Sequence, residues 1–192
     1  MTRLKRYRYV GPPEILAQQV GPVGIVVADT PSALDMWLDD RRATGLDEPA
    51  TFVVDLHGTL RVAPRRSEHV ACAAGQDVLA AGEITFAASN TGYVVQAVSN
   101  QSTGYCPDPD CWPAVVQAVS NQSTGYCPDP DCWPAVAAAL DRLGIPHPGG
   151  FTAALTLRRC TACGQRNIVR DDDFACALCD GALPPHWNFD PA

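Results

Sequence analysis

Four cysteines near the C-terminal end constrain this 192-residue chain more than any other feature. Cys160-Thr-Ala-Cys163 and Cys176-Ala-Leu-Cys179 are two Cys-x2-Cys pairs separated by twelve residues. Each pair puts two thiols on one tight turn, and two such turns facing each other complete a tetrahedral metal shell. Gly164 and Gly181 follow the pairs and permit the positive φ that turns backbone amides toward sulfur. Between the pairs, Arg166 to Arg170 and Phe174-Ala175 are expected to form a hairpin around Asp171-Asp172-Asp173. A segment of about 25 residues cannot fold on apolar burial alone, so bound metal is expected to hold it together.

Residues 158–183 resemble a zinc ribbon, the family of small β-hairpin modules built on two such knuckles. The resemblance implies one zinc ion held by Cys160, Cys163, Cys176 and Cys179, with iron in a rubredoxin-like site as the alternative metal. Four thiolates close the shell and leave no position for water or substrate, so the site reads as structural. Zinc ribbons often contact nucleic acid or protein partners, and Arg158, Arg159, Arg166 and Arg170 give this one a basic side. Asp171, Asp172, Asp173 and Asp180 balance those arginines, and the net charge of −7 argues against a protein devoted to phosphate backbones.

An identical repeat is the second constraint. Residues 94–114, VVQAVSNQSTGYCPDPDCWPA, recur without a difference as residues 115–135. Two copies are too few for a solenoid, so one copy is expected to fill a slot in the fold and the other to be a tolerated insertion. The preceding residues differ, which predicts strand for Val94 to Ser99 and helix for Val115 to Ser120. Cys106, Cys111, Cys127 and Cys132 form two Cys-x4-Cys pairs. They are conceivable ligands of a second zinc, but burial as small apolar side chains or exposure as ordinary thiols is the commoner fate of such cysteines.

The rest of the chain reads as α+β, giving an N-terminal domain over 1–157 and a zinc ribbon over 158–187. Strands are expected at Arg6 to Val10 and Gly24 to Ala28, and helices at Pro12 to Gln19 and Pro31 to Arg42, the latter capped by Thr30. Thr51 to Leu56 and Thr59 to Ala63 bracket His57-Gly58 as a hairpin, and Val78 to Ala80 with Glu83 to Ala87 suggest another around Gly82. Trp133, Val136, Ala137, Leu140 and Leu143 mark a helix stopped by Gly144 and Pro146, and Phe151 to Leu157 reads as a last strand.

Function is less legible. No Gly-rich phosphate loop or dinucleotide fingerprint is present. His57-Gly58-Thr59 resembles the histidine strand of poly-ADP-ribose-type transferases, but no glutamate follows Glu83 to complete that site. The leading expectation is a module that binds a protein or small ligand. The alternative is an enzyme with its site between Arg65-Arg66-Ser67-Glu68-His69 and the polar loop Ser99 to Cys106, acting on an anionic or nucleotide-like substrate. Nucleic-acid recognition through the ribbon arginines is a third reading. The start of the chain lacks the apolar stretch of a signal peptide, and nine cysteines suit a reducing compartment, so a cytoplasmic location is expected. Thirteen arginines against one lysine suggest a GC-rich bacterial genome.

Overall fold

The computed structural model describes residues 4–17, 25–42, 45–46, 48–90, 92–96 and 125–189. Helix α1 (Pro13–Ala17) is followed by strand β1 (Val26–Ala28) and helix α2 (Pro31–Arg42). Next come β2 (Ala50–Asp55), β3 (Leu60–Pro64), the single turn α3 (His69–Cys72), β4 (Val78–Ser89) and β5 (Gly92–Gln96). A 3-10 turn (Pro130–Cys132) leads into α4 (Trp133–Arg142), and β6 (Thr156–Arg159) and β7 (Arg166–Val169) complete the described chain. The first five strands form one antiparallel sheet in the order β1-β3-β2-β4-β5, and β6 pairs with β7 separately. The architecture is therefore mixed helix and sheet, as α+β requires.

Helix α2 begins where the sequence says it should, because the Thr30 hydroxyl accepts from the Ala33 amide at 3.2 Å and relieves one orphan donor of the first turn. Its Leu34 and Leu38 are fully buried. The β2–β3 hairpin is tied by Asp55. One carboxylate oxygen accepts from the His57 and Thr59 amides, and the other receives the Arg61 guanidinium at 3.2 Å. Gly58 sits at φ 78°, a left-handed conformation that favours glycine. Helix α4 buries Ala135, Val136, Ala139 and Leu140 in the main core alongside Phe52, Leu60, Val62 and Ile84.

Four expectations are corrected. Val78 to Ala87 is not a hairpin around Gly82 but part of one twelve-residue strand, in which Gly82 lies directly opposite Phe52. An absent side chain beside an aromatic ring leaves room for the ring, so here glycine continues the strand. Arg6 to Val10 makes a single bridge, Tyr7 to Val78, and Val10 then turns its amide to the Gly125 carbonyl instead. Phe151 is not in a strand; its ring packs edge-on against Trp133 at 5.1 Å, and the strand starts only at Thr156. Finally, β7 takes β6 as its partner, leaving Phe174-Ala175 with a bridge from Ala175 to Ala182. Asp171 and Asp172 do form the expected turn, both at positive φ.

The head of the first repeat copy, Val94 to Gln96, lies in β5, and the tail of the second, Gly125 to Ala135, leads into and starts α4. The predicted helix at Val115 to Ser120 lies outside the described residues. Among the described residues, no helix is long and apolar enough to cross a membrane.

Candidate functional site

Each Cys-x2-Cys turn is closed by the same two backbone hydrogen bonds. The Cys160 amide donates to Gln165 O and the Gly164 amide to Cys160 O; the Cys176 amide donates to Gly181 O and the Asp180 amide to Cys176 O. In the first turn the left-handed residue is Gly164, as expected, but in the second it is Asp180 and not Gly181. Aspartate tolerates that conformation better than most side chains. Gly181 matters for a different reason, since a Cβ there would stand 3.3 Å from the Cys179 sulfur and 3.6 Å from that of Cys160.

The four sulfurs lie within 4.8 Å of one another. Cys160 and Cys179 are 3.6 Å apart, as are Cys163 and Cys176. A metal–sulfur bond of about 2.3 Å implies tetrahedral edges near 3.8 Å, so the cluster fits one four-coordinate ion. Backbone amides aimed at sulfur favour the thiolate: the Cys163 amide lowers Cys160, and the Leu178 amide lowers Cys176 to about 6. The Gln165 and Gly181 amides pull on Cys163 and Cys179 in the same sense. At Cys163 burial and the Cys160 and Cys176 thiols outweigh this pull, and at Cys179 the Cys163 and Cys160 thiols do, so both groups sit higher, Cys179 at about 12. A divalent cation held by the four would replace the protons they otherwise share.

Asn167 is the residue that sequence reasoning missed here. Its side-chain amide donates to the Cys176 sulfur at 3.6 Å and to Gln165 O at 2.9 Å, while its oxygen accepts from the Ala177 amide at 3.0 Å. It thus links both knuckles from strand β7. A polar residue of poor strand propensity beside Ile168 and Val169 was the available signal.

The arginines around the knuckles do not share an open face. Arg158 is 8% exposed, and its guanidinium donates to the carbonyls of Leu157, Pro184 and Pro185. Arg166 donates to Val10 O at 3.2 Å, while Arg170 is exposed. Cys127 and Cys132 are both buried, in separate apolar clusters, and burial pushes Cys127 up to about 12 and raises Cys132. Their predicted co-ligands Cys106 and Cys111 lie outside the described residues, as does the loop Ser99 to Cys106.

Residues 65–69 do converge. With Thr51 and Glu83 they line a cleft of about 300 Å³. The Thr51 hydroxyl, nearly inaccessible, donates its one proton between the Ser67 carbonyl at 3.1 Å and the Arg65 carbonyl at 3.3 Å and hangs that turn on β2. His69 donates its Nε2–H to the Gly82 carbonyl at 3.0 Å, and burial lowers its pKa to about 4, so the imidazole is neutral near pH 7. Glu83 was read only as a strand residue, although a lone carboxylate in the apolar run Val78 to Ala88 was a visible signal. Compared with protein-family models, with curated proteins and with solved structures, the chain matches none.

Proposed function

We propose that this chain is a zinc-stabilised binding protein. Residues 158–187 act as a structural zinc ribbon, and the α+β domain over 1–157 holds a protein or a small ligand. The observation that carries the metal assignment is the cluster of four cysteine sulfurs at tetrahedral spacing. A closed four-thiolate shell polarises no water and binds no substrate, so zinc contributes folding energy and positions the surrounding turns. Zinc is favoured over iron because it needs no redox partner and suits four thiolates in a small hairpin module. The reading extends to a cytoplasmic bacterial setting, on the strength of the cysteine content and the arginine-for-lysine bias.

The test is metal analysis of the full chain purified without chelator, together with thiol counting. The expected result is one zinc per chain, with Cys160, Cys163, Cys176 and Cys179 reactive toward thiol reagents only after chelation. Iron in place of zinc, or a folded C-terminal module with four reactive thiols and no metal, overturns the assignment. The enzyme reading keeps one supporting observation, the neutral His69 beside a buried Glu83 in a single cleft. Nucleic-acid recognition through the ribbon loses support from the burial of Arg158.

A further inference from the structure

The cleft under residues 65–69 has a polar floor that the fold does not satisfy. Thr51 and Glu83 are directly paired across β2 and β4, so their side chains leave the same face of the sheet. Thr85 follows Glu83 by two residues and shares that face. Glu83 is 8% exposed and Thr85 4%, and Glu83 Oε2 and Thr85 Oγ1 are both buried with no hydrogen-bond partner among the described residues. Orphan polar atoms are rare in folded proteins, and Glu83, which lines the cleft, calls for a partner from outside; Thr85 adjoins it on the same face but does not line the cleft.

The rim carries the opposite charge. Arg65 lies close enough to Glu83 to counter part of the rise that burial imposes on its carboxyl, yet the two make no ion pair within 4.0 Å. Arg66 lines the same cleft and is exposed. A bare anion would meet the Glu83 carboxylate, and a bare cation would meet two guanidinium groups. The arrangement suits a ligand with two ends.

We propose that this cleft binds a small ligand carrying paired N–H donors at one end, received by Glu83, and an anionic group at the other, received by Arg65 and Arg66. A carboxylate accepts two parallel N–H bonds from a planar donor, and an arginine guanidinium matches a carboxylate or phosphate in the same forked manner. The cleft volume lies at the small end of ligand sites, which fits an amino acid or a single nucleotide. A guanidino amino acid and a guanine nucleotide share the required chemistry. The inference rests on the ligand-binding part of the proposed function and is independent of the metal.

The experiment titrates the zinc-loaded full chain separately with L-arginine and with guanosine monophosphate, following the amide resonances of His69 and Gly82. Glu83→Gln and Arg65→Ala are carried in parallel, and metal content is measured on every sample, so a failure of the zinc assignment is seen separately. The expected result is saturable binding of one of the two compounds, weakened about tenfold or more in each variant. Arginine binding identifies an amino-acid site, and nucleotide binding a nucleotide site. Absence of saturation with both compounds overturns the proposal. So does binding that only one of the two variants weakens.

Discussion

The two sheets of this protein are held by different physics. The five-stranded sheet is sealed by apolar side chains, with Phe52, Leu60, Val62 and Ile84 lined up with Leu140 of α4 in one core. Each fully buried side chain of this kind contributes about 1.5–3 kcal/mol, spread over many neighbours. Among the described residues, the β6–β7 hairpin carries two small clusters: Leu157 and Ile168 pack with Cys127, Trp187 and Phe189, and Cys160, Cys176 and Leu183 are backed by Val169 and Phe174. Both clusters are small, so the knuckle end of the hairpin depends chiefly on the four cysteines and whatever joins them. Stability distributed over a core degrades gradually under mutation, whereas stability concentrated at one ion is lost with a single ligand.

Cys176→Ser breaks this contrast most sharply. On the proposed zinc assignment it should remove much of the ~10–16 kcal/mol that a structural zinc supplies to small modules, so residues 156–189 should lose protection from proteolysis while β2–β4 keeps it. The sheet then forfeits only its contacts with the module, such as the Trp187 indole on Cys127 O and Arg166 on Val10 O. Phe52→Ala is the converse experiment. A cost of about 3–5 kcal/mol should lower the denaturant midpoint, while zinc content stays at one per chain.

Acid should act on the sheet as well as on the thiols. The folded pKa of His69 lies near 4, below the ordinary 6.5, so the unfolded chain takes up the proton more readily. The stability linked to His69 is complete above about pH 6.5 and is lost as pH falls through 4, up to about 3 kcal/mol in all. Glu83 is raised by burial and acts in the opposite sense, its contribution fading as pH rises through its folded pKa. Urea melts between pH 7 and 4 in a Glu83→Gln background isolate the histidine, and adding His69→Gln should flatten the slope. Asn167→Ala sharpens the metal side, with a roughly 10–100-fold loss of zinc affinity in a chelator competition and little change in the sheet.

The smallest effect belongs to the repeat. Twenty-eight residues separate Gln96 from Gly125, where a single copy would supply seven. Removing 21 residues in register restores that single copy and should leave the fold intact. Shortening the connection fourfold should raise stability by about 1 kcal/mol, measurable in the same urea melts.

What was legible in the sequence follows the same division. The cysteine knuckles and helix α2 were readable because their determinants are local: the Cys-x2-Cys spacing, and the cap at Thr30 with Leu34 and Leu38 one turn apart. The β2–β3 hairpin was likewise readable from Gly58 between two β-branched runs. Tertiary pairing decided the misses. Nothing local tells that Gly82 faces the Phe52 ring, that Tyr7 exchanges both backbone hydrogen bonds with Val78, or that Thr156 to Arg159 partners β7. The cleft was half legible. The Arg65 to His69 cluster stood out by composition, but its floor at Glu83 comes from a strand paired across the sheet.

Hydrogen exchange resolved by segment, before and after zinc is stripped from the full chain by a strong chelator, tests the division most directly. The account predicts that residues 156–189 become fully exchangeable on the time scale of metal loss, while β2, β3 and β4 retain their protection, and that zinc readdition restores the module. Retained protection of 156–189 in the metal-free chain, or simultaneous loss across both sheets, would contradict it.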